Sequence, residues 1–219
     1  MPEKKTIQRS RPLIAVIGAA KPGPDYTRKK GVAIGYKLRE FLGGDRDGTI
    51  FTGGVEGVGV DVYEGVLTYC VDIVRKRPGL LPYDRFFVLV PEDFGVPDFY
   101  TRLAALSKTG KLDVIRAGED MAERRRNLAQ EADIVIAVNG HGGSFDEAFI
   151  ALESGKPLIA LSDAGGVSLA LSEIKNEPED VVVEIHGEKF LFDRTKKERI
   201  TVSDTDGFTG ALRSVYGLR

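Results

Sequence analysis

Six short runs rich in β-branched and aliphatic residues, RPLIAVIG, DGTIF, RFFVLV, KLDVI, DIVIAV and KPLIAL, recur along the chain as far as Leu161. Most are bounded by Gly, Pro or Asp, which reads as strand followed by turn. Between them lie stretches of helical spacing: TRKKGVAIGYKLREFL, VDVYEGVLTYCVDIVRK, DFYTRLAALSK, DMAERRRNLAQEA and SFDEAFIALES. Strands this continuously apolar must be covered on both faces, and right-handed crossovers place the intervening helices there. The predicted fold class is α/β, a doubly wound, mostly parallel, Rossmann-like sheet.

After Leu161 the rhythm changes. SDAGG reads as a loop, VSLALSEIK as a further helix and KNEPED as a charged joint, followed by VVVEIH and KFLFD around a two-residue turn at Gly187 and Glu188. The spacing predicts a C-terminal β-hairpin, expected to extend one edge of the sheet, because a segment of this size makes a poor core of its own. Residues 1–11 are expected to form a flexible tail and residues 12–219 a single domain, with 177–219 as a C-terminal extension. A chain of 219 residues with 42% hydrophobic content supports one sizeable core.

With 31 Lys plus Arg against 33 Asp plus Glu, the charge is near balance, so nucleic acid and anionic membranes are not expected partners and any anion site must be local. The lone cysteine, Cys70, excludes an intrachain disulfide framework. With only two distant histidines, His141 and His186, no metal site can be read from spacing. The apolar runs are far shorter than a membrane span, and MPEKKTIQRSR lacks the apolar core of a signal peptide, so a cytoplasmic protein is expected.

In open α/β sheets, ligands bind beyond the carboxyl ends of the strands. Four glycine-rich segments fall there: GAAKPG with Gly18 and Ala19, TGGVEGVG with Gly53, Gly54, Gly57 and Gly59, NGHGG at Asn139 to Gly143, and SDAGG at Ser162 to Gly166. Glycine lets backbone approach a ligand closely, and the free N–H groups of a helix start attract phosphate. Together the loops predict a nucleotide pocket. No segment fits GxxxxGKS/T, which argues against a P-loop hydrolase, and the first turn lacks GxGxxG, which argues against an ordinary dinucleotide fold.

Taken in order, these segments resemble the LOG ("lonely guy") family within the wider Rossmann-like group that includes molybdenum-cofactor carriers. The family pattern PGGxGTxxE is matched by NGHGGSFDE at Gly140, Gly143, Ser144 and Glu147, and its Met-x-x-Arg-Lys helix by Met121, Arg124 and Arg125. The resemblance implies a nucleoside 5′-monophosphate, AMP-like, whose phosphate rests on Asn139, Gly140, His141, Gly142, Gly143 and Ser144. It implies no required cofactor and an assembly of identical subunits, and it places Glu147 and Arg124 at the N-glycosidic bond to release base and ribose 5′-phosphate. A carboxylate suits that chemistry, because cleavage passes through an oxocarbenium-like state. Arg124 would orient the acid or neutralise phosphate. The chain departs from the pattern at Asn139, where the family has proline, at His141, where it has glycine, and in GAAKPG, which lacks the paired serines of the family's first loop. These departures bear on hydrolysis more than on binding, so a non-catalytic nucleotide sensor or a pterin carrier stands beside the hydrolase. A scaffold using the hairpin edge is the third reading.

Purely structural accounts exist for several of these residues. Ser144 and Glu147 fit a capping box, and so do Asp120 and Glu123. Three adjacent arginines, 124 to 126, span about 200° of a helix, so one of them should turn toward the sheet. His141 could face solvent, bond a phosphate or act as a general acid. Tyr63, Tyr69 and Phe145 read as core or subunit contacts, and Asp61 and Glu64 as complements to a helix start. The helix VDVYEGVLTYCVDIV is apolar on more than one face, which also predicts a homo-oligomer.

Overall fold

A computed structural model describes residues 12–43, 48–53, 56–77, 86–93, 95, 98 and 112–217. The predicted N-terminal tail, Gly54 and nearly all of DFYTRLAALSK lie outside these residues. Seven strands, β1 (Leu13–Gly18), β2 (Thr49–Thr52), β3 (Phe86–Val90), β4 (Leu112–Arg116), β5 (Ile134–Val138), β6 (Leu158–Leu161) and β9 (Ile200–Ser203), form one sheet in the order β4-β3-β2-β1-β5-β6-β9. Every pairing in it is parallel. The chain winds outward from β1 in one direction, then returns to start again at β5, so the sheet reverses order between those two strands. The crevice beyond their carboxyl ends is where such a fold places a ligand.

Alternation along β1 builds both halves of the core. Ile14 and Val16 join the apolar cluster under α1 (Arg28–Leu42), α2 (Val58–Lys76) and α7 (Phe208–Val215). Leu13, Ala15 and Ile17 point the other way, against α3 (Met121–Glu131), α4 (Gly142–Glu153) and α5 (Gly166–Asn176). Each large aliphatic side chain buried here contributes roughly 1.5–3 kcal/mol. Close approach of α1 and α2 depends on missing side chains: a Cβ on Gly35 would lie 1.9 Å from the Val62 carbonyl oxygen, and one on Gly65 2.0 Å from that of Val32. Thus α1 covers much of the apolar surface that the sequence of α2 presents beyond its sheet-facing side.

The hairpin, β7 (Val181–Ile185) and β8 (Glu188–Phe192), is antiparallel as predicted, but it does not extend the sheet. It forms a two-stranded sheet of its own, and the edge position beside β6 goes to β9, which follows the short helix α6 (Arg194–Glu198). The reason lies in its apolar side. Phe190 and Phe192 stack edge-on against Phe145 and Phe149 of α4, with centroids 4.9–5.5 Å apart, so the hairpin is drawn onto the helix layer. The turn falls at His186 and Gly187, one residue before the expected Gly187–Glu188, because Glu188 pairs with Ile185 and only the earlier two residues take the positive φ, 53° and 82°, that a tight two-residue turn requires.

Candidate phosphate and ligand site

A cavity of about 360 Å³ opens at the β1/β5 reversal, lined by the ends of β1 and β2, the first loop, α3 and the head of α4. That volume is at the small end of ligand pockets. Its charged lining residues are Lys21, Arg124, Arg125 and Glu147, three cations to one carboxylate in a chain whose net charge is −2. The site is therefore locally suited to an anion.

The head of α4 starts two residues earlier than the SFDEAFIALES pattern suggests. His141 is the N-cap, and its carbonyl accepts from the N–H groups of Ser144 at 2.8 Å and Phe145 at 3.1 Å. The N–H groups of Gly142 and Gly143 have no acceptor among the described residues, leaving two donors at the positive end of a twelve-residue helix. Ser144 is thus inside the helix and caps nothing, so the capping-box account of Ser144 and Glu147 is overturned. Asp120 does cap α3, accepting from the Glu123 N–H at 2.8 Å, while the Glu123 carboxylate accepts from the Glu119 N–H at 2.8 Å.

Glu147 is held by Arg124 instead. Arg124 Nη1 donates to Glu147 Oε1 at 2.5 Å, with the two side chains 4% and 6% exposed. Of the three arginines, Arg124 is the one turned into the core, Arg125 is half-buried and Arg126 is exposed. Burial pushes the Glu147 carboxyl up, against the opposing pull of Arg124 and Arg125. Arg124 Nε is buried and has no partner among the described residues, so this cavity-lining guanidinium keeps a donor that they leave unused. Both arginines lie over glycines: a Cβ on Gly53 would fall 2.4 Å from Arg124 Nη1, and one on Gly143 2.6 Å from Arg125 Nη2. Among the described residues Arg125 makes one polar contact, a long one of 3.4 Å with Asp146, and stays available to a ligand.

Asn139 has a different role from the one its motif position implies. Its backbone takes φ 62°, closed to proline, and its side chain is buried. Its N–H donates to Ser168 Oγ at 3.0 Å, its Nδ2 donates to the Ala164 carbonyl at 2.8 Å, and its Oδ1 accepts from the Gly23 N–H at 3.4 Å. One residue thereby joins NGHGG, SDAGG and GAAKPG. His141, exposed, adds a second link, its Nε2 lying 3.1 Å from the Lys21 carbonyl oxygen.

Of the residues expected at the site, Gly18, Ala19, Gly53, Arg124, Arg125, His141, Gly143, Ser144 and Glu147 line the cavity. Gly57, Asn139, Gly140 and Gly142 do not line it but shape its walls. Gly57, at φ 84°, lets the start of α2 approach the first loop, where a Cβ would lie 2.3 Å from the Ala19 carbonyl oxygen. The SDAGG loop supports the site from behind and contributes no lining residue. Gly59, named in the second glycine loop, lines it too, while Ala20, Lys21 and Thr52 line it without having been singled out. Lys21 had a legible signal, as the only cation within a glycine loop at the end of β1.

No protein-family model and no curated protein matches the chain. Solved structures do. The molybdenum cofactor binding protein from the phototrophic bacterium Rippkaea orientalis is 19% identical, with a TM-score of 0.58, over 95% of this chain and 99% of its own. The molybdenum cofactor carrier protein from Chlamydomonas reinhardtii is 16% identical, TM-score 0.56, over 94% and 99%. The chain has the fold of the molybdenum-cofactor carrier proteins. TM1055, a structural genomics target, is similar to this chain at 19% identity and a TM-score of 0.57, over 93% of this chain and 99% of its own. The fold agrees with the LOG-like resemblance carried by Met121, Arg124 and NGHGGSFDE. No helix among the described residues is long and apolar enough to cross a membrane.

Proposed function

We propose that the cavity binds a small molecule through a phosphate group seated at the head of α4, with an AMP-like nucleoside 5′-monophosphate as the ligand. The observation that carries this reading is that Arg124, Arg125, Lys21 and His141 line one cavity at the sheet's reversal point together with Gly143, whose N–H is unpaired among the described residues. Glu147 lines the same cavity. With the phosphate on Gly143, its carboxylate would face the anomeric carbon and stabilise positive charge as the N-glycosidic bond breaks, while Arg124 holds it in place.

The second reading is a carrier that binds without cleaving, and the named cofactor of the neighbouring folds favours it. A phosphorylated pterin fits the same phosphate-binding groups, and Lys21, Arg125 and the α4 head would hold its phosphate end. Calorimetric titration with AMP, followed by chromatographic assay for free adenine, separates these readings. AMP binding with adenine release supports the hydrolase, and tight binding with no release over hours supports the carrier. No binding of AMP or inorganic phosphate would overturn both.

A further inference from the structure

The hairpin has no part in the function proposed above, yet its turn lies against Gly142, the first residue of α4 and the neighbour of the cavity-lining Gly143. A Cβ on Gly142 would sit 2.6 Å from His186 Nε2, so the imidazole covers the first residue of α4 with that nitrogen nearest the helix start. His186 makes no hydrogen bond among the described residues and is exposed. The Asp146 carboxylate of α4 feels the charges of His186 and of Glu188 of β8, and it lies 3.4 Å from Arg125. The turn itself offers no reason for histidine. At φ 53° histidine is tolerated, but asparagine before glycine is the preferred pair.

We propose that the hairpin is a wall of the ligand site and that His186 is a specificity-determining residue, donating from Nε2 to the phosphate at the head of α4. The inference rests on the phosphate reading and narrows its ligand. Gly142 N–H, Gly143 N–H, Arg125 and His186 approach the group from different sides, a donor set that matches the three free oxygens of a terminal phosphomonoester. A bridging diphosphate has fewer free oxygens per phosphorus and must continue past the hairpin. The site therefore selects mononucleotide-type ends over dinucleotides.

The test is calorimetric titration of the full chain and of His186→Asn with AMP and with adenosine, together with the melting temperature of each. Asparagine suits the turn, so the variant is expected to melt at or above the wild-type temperature. Its AMP affinity is expected to fall about tenfold, the scale of one charge-assisted hydrogen bond, with adenosine affinity unchanged. Equal AMP affinity in the two proteins would overturn the role of His186 while leaving the phosphate reading standing. Equal losses for AMP and adenosine would make the hairpin a packing wall only, which also overturns it. A wild type that does not distinguish AMP from adenosine would show that the phosphate reading itself is wrong.

Discussion

At Asn139 the backbone is left-handed, and three loops hang on one side chain. Asn139→Pro, which restores the residue of the family pattern, is expected to cost more than about 3 kcal/mol in urea unfolding, because proline cannot reach that φ and loses the N–H bond to Ser168. A variant as stable as wild type would show that the loop has another conformation. The buried pair behaves differently. Arg124→Ala leaves the Glu147 carboxylate without its partner and is expected to destabilise by about 3–5 kcal/mol. Glu147→Gln keeps an acceptor for Arg124 and nearly the same shape, so AMP binding should persist. If the protein is a hydrolase, adenine release should fall at least roughly a hundredfold, and release at the wild-type rate would remove Glu147 from the chemistry. Arg124 was legible in the sequence because three consecutive arginines cannot all avoid the core side of a helix. The part played by Asn139 was not, since a left-handed φ and a triple hydrogen bond leave no periodic trace.

Among the elements, the six runs read as strands and the glycine turns after them appear where periodicity placed them, because parallel strands buried on both sides leave an unbroken apolar signature. The hairpin was legible as a hairpin but not in its placement. Its inward-facing Phe190 and Phe192 match the aromatic residues on α4, and such a pairing between distant segments has no local pattern. β9 went unread for a similar reason: Ile200–Ser203 is four residues long and only its register with β6 makes it a strand. The helix between them starts at Asp193, whose carboxylate accepts from the Lys196 N–H at 2.9 Å and is thereby held below the usual carboxylate value. Its folded value is depressed, so the stabilisation is present above the ordinary value near 3.9 and is lost as pH falls through the lower folded value. Melting curves of wild type and Asp193→Asn should differ at neutral pH and converge in strong acid. A gap that persists or widens in acid would contradict the sign of that linkage.

For the whole molecule, both faces of the sheet are covered, and the apolar surface of α2 is shared between sheet and α1. What it leaves outward is Val71, 37% exposed, and elsewhere on the helix Tyr69, half-buried in an edge-to-face pair with Tyr36 of α1, centroids 5.3 Å apart. Pairing of two copies through the outward side of α2 is the expected assembly, and light scattering should give about twice the 23.9 kDa chain mass. A single 23.9 kDa species at micromolar concentration would count against it. The late position of β9 has a consequence for synthesis. On the ribosome β6 is complete roughly forty residues before β9 exists, so at about 5–20 residues per second the nascent sheet carries an open edge for some seconds. The hairpin emerges in that interval. A growing chain thus meets its aromatic clasp on α4 before its sheet is closed, and stalling between the two would present a nearly finished fold with one strand-hungry border to its neighbours on the same message.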